Sequence, residues 1–257
     1  MRVSIIGSGN VAEALALALH ECGAEVVEIV ARNREEGCRL ASMVGAAHCD
    51  PSGEPAEADL FLIAVSDRAV EEVAATVRFS EGAMVAHTAG CVRLDAIPSH
   101  LCRAVIYPFQ TFTKGRRVNF REIPLFIEAD DETTLTRAKG YAQMLSDNIF
   151  EADSERRKWL HLAGVFASNF TNHMLACATE VLGRADLPFS VLAPVIAETA
   201  SKAIDSGDPK SVQTGPAARG DVATRERHIA LIADNEQLKE IYNKISDNIW
   251  LTKTSKR

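Results

Sequence analysis

VSIIGSGNVAEALALALHECGAEVVEIVARN, residues 3–33, carries the clearest fold signal in this chain. Its apolar start, 3–6, predicts a short strand, which a glycine-containing turn interrupts. The Ala- and Leu-rich run 11–20 predicts a helix that ends near Gly23. A β-branched run, 25–30, predicts a second strand. The order strand, turn, helix, strand is the beginning of a βαβ unit.

The turn in this stretch has the pattern G-x-G-x-x-A, carried by Gly7, Gly9 and Ala12. The first glycine permits a tight turn, the second lets the backbone approach a pyrophosphate, and the small third residue lets the helix pack closely on the strand. The helix amino terminus adds unpaired N–H groups and the positive end of its dipole. We therefore expect a dinucleotide to bind here; the alternative is a packing turn that binds no ligand.

Three polar residues, Arg32, Asn33 and Arg34, follow the second predicted strand. NAD-binding folds usually place an acidic residue here, for the 2′-hydroxyl of the ribose. A carboxylate would repel a 2′-phosphate, whereas an arginine binds it through two parallel hydrogen bonds. Glu28 is the other acidic candidate, but it lies inside the strand and is expected to point elsewhere. The pattern favours NADP(H) over NAD(H); the alternative is two solvent-exposed arginines in a helix that Asn33 caps.

Strands and helices continue to alternate up to about residue 150. The fully apolar run 60–65 is typical of a central strand in a parallel sheet. Further strands are predicted at 83–86, 103–106, 125–128 and 148–150. One helix is predicted to follow Asp67, which caps it, and another is predicted to start at Asp131. This alternation predicts an α/β fold with a doubly wound parallel Rossmann sheet.

No strand is predicted after Ser154. Helices are predicted at 155–184, 189–206 and 224–250, with a loop at 207–220. The chain is therefore expected to form a dinucleotide-binding Rossmann domain over 1–150 and an all-helical domain over 151–257.

Composition limits the classes of function. The 257 residues are 47% hydrophobic, enough for a sizeable core, and carry a formal net charge of −7. This balance argues against nucleic-acid binding, which normally needs a basic surface. The six cysteines have no metal-ligand spacing, so we expect no metal site and a reducing, cytoplasmic compartment. No apolar run approaches the length of a membrane span.

Small or polar residues follow the fourth and fifth predicted strands, at the edge where open α/β sheets bind ligands. Val65 and Ser66 follow the fourth strand, and His87 and Thr88 follow the fifth. We expect these residues to lie at the cofactor. Helix capping is the alternative for Ser66 and is favoured for Asp67, and a structural role is favoured over a catalytic one for His87.

Two segments carry polar groups that suit a substrate. YPFQTFT, residues 107–113, combines aromatic walls with Gln110 and Thr111, which suits a carbonyl or imine site or, equally, a buried domain junction. One predicted helix places polar residues among apolar ones, at His161, Ser168, Asn169, Asn172 and His173. Burying such polar residues costs free energy unless they form hydrogen bonds or contact a ligand. This helix therefore suits either a ligand-binding cleft or a dimer core in which these residues form hydrogen bonds.

TGPAARGD, residues 214–221, is a third such segment. Two glycines and a proline give it an irregular backbone. It presents Arg219, the better candidate for an anionic substrate group, and Asp221, which is able to cap the following helix.

Five motifs together resemble one family. They are GSGNVAEAL at 7–15, AVSD at 64–67, HTAG at 87–90, YPFQTF at 107–112 and TGPAARGD at 214–221. They resemble Rossmann-like proteins with the domain of unknown function 2520, described as NADP oxidoreductases of the coenzyme F420-dependent type. The first half is also similar to pyrroline-5-carboxylate reductase and ketopantoate reductase. The helical half resembles the second domain of the 6-phosphogluconate dehydrogenase superfamily.

The resemblance implies a two-domain subunit that forms a homodimer through its helical domain. It implies pyrophosphate contacts from Gly7, Ser8, Gly9, Asn10 and Val11. It implies that Arg32 and Asn33 lie near the 2′-phosphate and that Ser66 and the 87–90 loop lie near the rest of the cofactor. It implies an interdomain cleft lined by Asn169, Gly215, Pro216 and Arg219.

The β-hydroxyacid dehydrogenase relatives use a helix lysine as acid and base. This chain has no lysine near Asn169, and Lys158 lies about three turns earlier. The first hypothesis is an NADP(H)-dependent oxidoreductase that transfers hydride to or from a small C=O or C=N substrate in the cleft. Its candidate catalytic groups are Gln110, Thr111, Asn169, His173 and Arg219. The second hypothesis is a dinucleotide-binding sensor or scaffold without turnover, and a third adds F420 or a flavin as redox partner.

Overall fold

The structure, a computed structural model, describes residues 1–254. Its contacts form two compact units, Met1–Phe170 and the part of the chain from Thr171 onward. The sheet belongs to the first unit, and its last strand ends at Glu151. The domain boundary between residues 150 and 151 stays a prediction, because the contacts divide the chain after Phe170.

One sheet of eight strands organises the first unit. The strands are β1 (Arg2–Ile6), β2 (Glu25–Val30), β3 (Ala47–Cys49), β4 (Leu60–Ile63), β5 (Met84–His87), β6 (Cys102–Pro108), β7 (Leu125–Ala129) and β8 (Ile149–Glu151). Their order is β3-β2-β1-β4-β5-β6-β7-β8, and the pairs from β3 to β6 are parallel. This is the strand order of a doubly wound Rossmann sheet, as predicted.

The far edge of the sheet departs from the parallel arrangement that the sequence predicts. β7 pairs antiparallel with β6, with Pro108 opposite Leu125, and β8 pairs parallel with β7. A parallel neighbour needs a crossover connection, usually a helix. The regular element in the described connection from β6 to β7 is one 3-10 turn, Phe120–Glu122, so the chain reverses direction instead.

Helices cover both faces of the sheet. Those of the first unit are α1 (Asn10–Glu21), α2 (Arg34–Val44), α3 (Val70–Thr76), α4 (Glu132–Leu145) and α5 (Ser154–Gly164). Helices α1, α2 and α4 pack into one core through Leu15, Leu40 and Ala138, respectively. Helix α3 packs into the other core through Val70. Successive strand residues supply the two cores in turn, because side chains alternate across a sheet. A π-helical turn, Val165–Phe170, continues α5.

The second unit is helical. Its helices are α6 (Thr171–Gly183), α7 (Ala193–Ser206), α8 (Pro216–Arg219), α9 (Val222–Leu231) and α10 (Glu236–Thr254). Residues 171–254 contain no strand, which confirms the all-helical prediction for this part of the chain. None of the helices in the described chain is long and apolar enough to cross a membrane.

Two details of the second unit correct the sequence-based prediction. The helix expected over 224–250 is two helices, because Asn235 Oδ1 accepts a hydrogen bond from Leu238 N (3.0 Å) and begins α10 as a new helix. The predicted loop 207–220 also contains the short helix α8.

Helix caps account for several element boundaries. Asn33 Oδ1 accepts from Glu36 N (3.1 Å) at α2, and Asp221 Oδ1 accepts from Thr224 N (3.0 Å) at α9, as predicted. The cap predicted at Asp67 is wrong. Asp67 begins a 3-10 turn that precedes α3. The N-cap of this turn is Ser66 and the N-cap of α3 is Ala69, and no capping side-chain hydrogen bond is found at either position among the described residues.

Candidate active site

The turn between β1 and α1 requires its first glycine. Gly7 has φ +132°, and a Cβ there would lie 2.3 Å from the carbonyl oxygen of Ala64, just after β4. Gly9 differs, because a Cβ added there meets no atom within 4 Å among the described residues. The turn is therefore closed against the sheet at Gly7 and open at Gly9, where a phosphate would approach the backbone.

Helix α1 directs its amino terminus at this open space. Gly9 is its N-cap and offers no side chain for capping, so the first-turn amides are left for a ligand. Glu13, the acid of this turn, is buried and held by Arg39 and by the amide of Gly115. Burial raises its pKa, but the hydrogen bonds from Arg39 and Gly115 outweigh that effect and lower it overall.

A cavity of about 520 Å³ lies at the carboxyl ends of the strands. β1 and β4 are adjacent there, at the point where the strand order reverses, which is where open α/β sheets bind ligands. The residues predicted to bind the cofactor that line this cavity are Gly7, Ser8, Gly9, Asn10, Val11, Arg32, Asn33, Val65 and Ser66. The predicted residues that do not line it are Arg34, His87 and Thr88.

The end of β2 gives this cavity its basic wall. Arg32 is exposed and lines the cavity. Asn33, beside it, caps α2 with its Oδ1, and its Nδ2 takes no part in that cap. Glu28 is buried, and its Oε1 accepts from Ser4 Oγ and Ala56 N, both at 2.9 Å. The acidic strand residue is thus engaged elsewhere, as predicted. Glu72, on α3, is the acid in the lining.

His87 shapes the turn after β5. It is fully buried, Ala89 N donates to its Nδ1 at 3.2 Å, and its Nε2 lies 3.2 Å from the carbonyl oxygen of Arg93. Burial and the nearby charge of Arg157 lower the pKa of His87 to about 4, so the ring is neutral. With Nδ1 accepting, Nε2 carries the proton and donates to Arg93. The geometry supports the structural role for His87.

The loop after His87 is also held by Arg157, a residue that the sequence analysis did not single out. Its side chain is fully buried. Nη1 donates to the carbonyls of Ala89, Gly90 and Val92 at 3.3, 3.2 and 2.9 Å. Nη2 donates to Glu128 and to Ser154. One buried charge therefore positions the backbone at the end of β5.

A second cavity of about 330 Å³ lies in the same unit, at the end of β6. Its lining is Tyr107, Phe109, Gln110, Thr111, His161, Gly164, Val165, Ala167, Ser168 and Asn169. It brings together three of the predicted catalytic residues, Gln110, Thr111 and Asn169. The π-helical turn supplies much of the helical wall, and π-turns occur frequently at functional sites.

The loop after β6 is fastened to the glycine-rich turn. Asn10 Nδ2 donates to the carbonyl of Phe112 at 2.9 Å, and Gly115 N donates to Glu13 at 2.7 Å. Lys114 pairs with Glu36 on α2. The segment that carries Gln110 and Thr111 is thus anchored to the segment expected to bind pyrophosphate, a long-range contact with no local sequence signal.

The other two predicted catalytic residues belong to the second unit. His173 is exposed on α6, with Nε2 3.8 Å from Cys177 Sγ. Arg219 is exposed at the end of α8. Their catalytic role stays a prediction.

Comparison with known proteins agrees with this geometry. Two family models match: NADP oxidoreductase coenzyme F420-dependent over residues 2–89, and Domain of unknown function (DUF2520) over residues 123–249. A solved structure from Bacteroides fragilis, provisionally named an NADP oxidoreductase, is 38% identical, with 97% of each chain covered and a TM-score of 0.89. The chain belongs to this DUF2520 family of NADP oxidoreductases. Membership confirms the predicted resemblance, the fold class and NADP(H) as the cofactor.

More distant structures share the fold. Pyrroline-5-carboxylate reductase from Streptococcus pyogenes is 12% identical, with 97% of this chain and 98% of that chain covered and a TM-score of 0.63. Reductive aminase from Aspergillus terreus, in complex with NADPH and ethyl-5-oxohexanoate, is 12% identical, with 100% and 99% covered and a TM-score of 0.71. Among curated proteins, no match to the sequence is found.

Proposed function

We propose that this DUF2520 protein transfers hydride between NADP(H) and a small substrate with a C=O or C=N bond. The observation that carries the proposal is the cavity at the β1–β4 switch point, with the open glycine turn at Gly9 and the basic wall at Arg32. NADPH, when bound, supplies the hydride. The protein's part is to hold the dinucleotide and to orient and polarise the substrate.

The residues that line this cavity suit the phosphate groups of the cofactor. The backbone at Gly7 to Val11 and the amino terminus of α1 would hold the pyrophosphate. Arg32 and the amide of Asn33 would hold the 2′-phosphate through charge-assisted hydrogen bonds. Val65 and Ser66, which also line the cavity, would contact the remainder of the cofactor.

The second cavity is the proposed place of the substrate's reactive group. Gln110, Thr111 and Asn169 offer uncharged hydrogen-bonding groups beside the aromatic rings of Tyr107 and Phe109. Two structural neighbours fit this chemistry: the reductive aminase was solved with NADPH and a keto ester, and a similar fold is named an imine reductase. His173 and Arg219 are proposed as further substrate contacts, on the family resemblance alone.

Calorimetry with NADPH, followed by NADPH oxidation in the presence of carbonyl and imine compounds, tests this function. We expect binding and consumption. Absence of NADPH binding would contradict the proposal at its first step. Binding without consumption across the whole panel would instead support the sensor or scaffold hypothesis.

The name of the matching family model favours one further assay, with coenzyme F420 as the hydride partner. Reduction of F420 by NADPH in the presence of the protein would make F420 the second substrate. Failure in an assay that works for an authentic F420 reductase would remove that alternative.

We also propose that the helical unit forms a homodimer in the cytoplasm. Large apolar side chains are exposed on its helices, among them Val195 at 57% and Ile204 at 77% of their surface. Exposed apolar area of this kind marks interaction surfaces. Sedimentation of Ile204→Asp, with Lys202→Asp as the control on the same helix, tests it: we expect monomer only for Ile204→Asp. A wild-type monomer would contradict the proposal.

A further inference from the structure

The second cavity contains a Tyr–His pair. Tyr107 Oη lies 3.3 Å from His161 Nδ1, and both side chains line the cavity. Tyr107 is the penultimate residue of β6, and His161 is on α5. No lysine follows on this helix near Asn169, so the Tyr–His pair is the candidate proton donor of this cavity.

The pair also borders the end of β5. A Cβ on Gly90 would lie 2.9 Å from Tyr107 Oη and 2.8 Å from His161 Nδ1. Gly90 follows His87 and belongs to the loop that Arg157 holds by its carbonyls. The hydroxyl is therefore close to the carboxyl-terminal edge of the sheet, where the ends of β5 and β6 meet, and glycine at residue 90 leaves room for it.

The surroundings keep the phenol protonated. The pKa of Tyr107 is raised to about 12, mainly by burial, with smaller contributions in the same direction from Cys91 and Asp67 and one in the opposite direction from Arg157. Lys158 on α5 is the other cation near Cys91. A phenol in this state holds its proton at neutral pH and is still a far stronger acid than the alcohol that forms when a ketone is reduced.

We propose that Tyr107 is the catalytic acid of this site and that His161 is the positioning residue that returns its proton. The proposal rests on the proposed function. When hydride reaches the carbon of the C=O or C=N bond, the π-electron pair moves to the oxygen or nitrogen, which takes the proton from Tyr107 Oη. His161 then gives its Nδ1 proton to the phenolate as its Nε2 takes one from water, which leaves hydroxide in the solvent. The ring next exchanges its Nε2 proton for one at Nδ1 through solvent, so the pair is restored.

The lining also limits the substrate class. The lining of the cavity contains no lysine, arginine, aspartate or glutamate, and its volume of about 330 Å³ is at the small end for ligand sites. A carboxylate placed there would lose its hydration without gaining a cation. The substrate is therefore a small, uncharged ketone, aldehyde or imine rather than an amino- or keto-acid.

Four proteins test the assignment: wild type, Tyr107→Phe, His161→Gln and the control Tyr242→Phe. Tyr242 forms a matched Tyr–His pair in the second unit, with Oη 2.9 Å from His228 Nδ1. All four should bind NADPH with the same Kd in calorimetry. With cyclohexanone and 1-pyrroline, Tyr107→Phe should lose about 10²–10⁴-fold in kcat, and Tyr242→Phe should lose nothing. 1-Pyrroline-5-carboxylate should react more slowly than 1-pyrroline.

Two further measurements separate this role from a structural one. The pH profile of kcat in His161→Gln should differ from that of wild type, whereas the profile of Tyr242→Phe should match it. Cyclohexanone should shift the His161 imidazole NMR signal in wild type, whether or not turnover occurs, and should bind about three- to tenfold more weakly to Tyr107→Phe.

The outcomes are distinct. If wild-type protein does not bind NADPH, the proposed function is wrong. The NMR measurement with cyclohexanone then still tests whether the Tyr107–His161 pair binds a ketone. Intact NADPH binding with unchanged kcat and ketone affinity in Tyr107→Phe overturns the acid assignment. A preference for the carboxylate substrate overturns the substrate class and favours the role predicted for Arg219.

Discussion

Replacing Arg157 with methionine should destabilise the first unit strongly. The substitution keeps much of the side chain's apolar volume and removes the guanidinium. It leaves the carboxylate of Glu128, whose side chain is 16% exposed, without its cation. It also leaves the carbonyls of Ala89, Gly90 and Val92 without their shared donor.

The magnitude follows from these contacts. Removing one partner of a buried ion pair costs about 3–5 kcal/mol. Two features lower the expected loss: Nε of Arg157 is buried without a partner among the described residues, and Ser154 Oγ still donates to Glu128. We therefore expect a loss of about 3 kcal/mol in the free energy of unfolding. For a unit of this size, that corresponds to a Tm lower by about 6–12 °C.

Thermal and urea unfolding, followed by circular dichroism, measure this loss. Arg156→Met is the matched control, because Arg156 is the neighbouring residue of the same type and is exposed. It should change stability by less than about 0.5 kcal/mol. Equal, small losses in the two variants would show that Arg157 is not the buried partner of Glu128.

The other predictions concern the glycine turn and His87. Gly7→Ala should lower NADPH affinity at least about tenfold and destabilise the fold. Gly7 has φ +132°, and the new Cβ would lie 2.3 Å from the carbonyl oxygen of Ala64. Wild-type affinity in calorimetry would contradict this prediction. His87 has a pKa of about 4 in the folded chain against an ordinary 6.5. The unfolded chain therefore takes up a proton first, and stability should fall by about 3 kcal/mol between pH 6.5 and 4. His87→Gln should flatten that part of the curve of Tm against pH, and an unchanged slope would exclude His87 as its source.

Local signals explain what could be predicted from the sequence. The β1–α1–β2 unit could be predicted from the periodicity of its apolar residues and from the G-x-G-x-x-A spacing, which is typical of a tight strand-to-helix turn. The cap at Asn33 follows from one side chain beside a helix start. The cavity at the glycine turn could be predicted because parallel strands bring their carboxyl ends to one edge of the sheet.

Features that depend on distant partners could not be predicted. Arg156 and Arg157 are adjacent and alike in sequence, and only the fold decides that the second meets Glu128 and the 89–92 carbonyls. The reversal at β7 depends on the connection after Pro108, which lacks a strong helix signal. The π-turn at 165–170 has no sequence signal of its own, yet it supplies Ser168 and Asn169 to the cavity that His161 also lines.

The affinities for NADPH and NADH of wild type, Arg32→Ala and Arg34→Ala test whether the cavity binds NADP(H) with its 2′-phosphate at Arg32. Arg32 lines the cavity and Arg34 does not, so the second variant is the matched control. Wild type should bind NADPH more tightly than NADH. Arg32→Ala should weaken NADPH by about 10- to 100-fold and leave NADH nearly unchanged, because only NADPH carries the 2′-phosphate. Equal weakening of both cofactors would contradict the role of Arg32, and wild-type protein that binds neither would contradict the cofactor site itself.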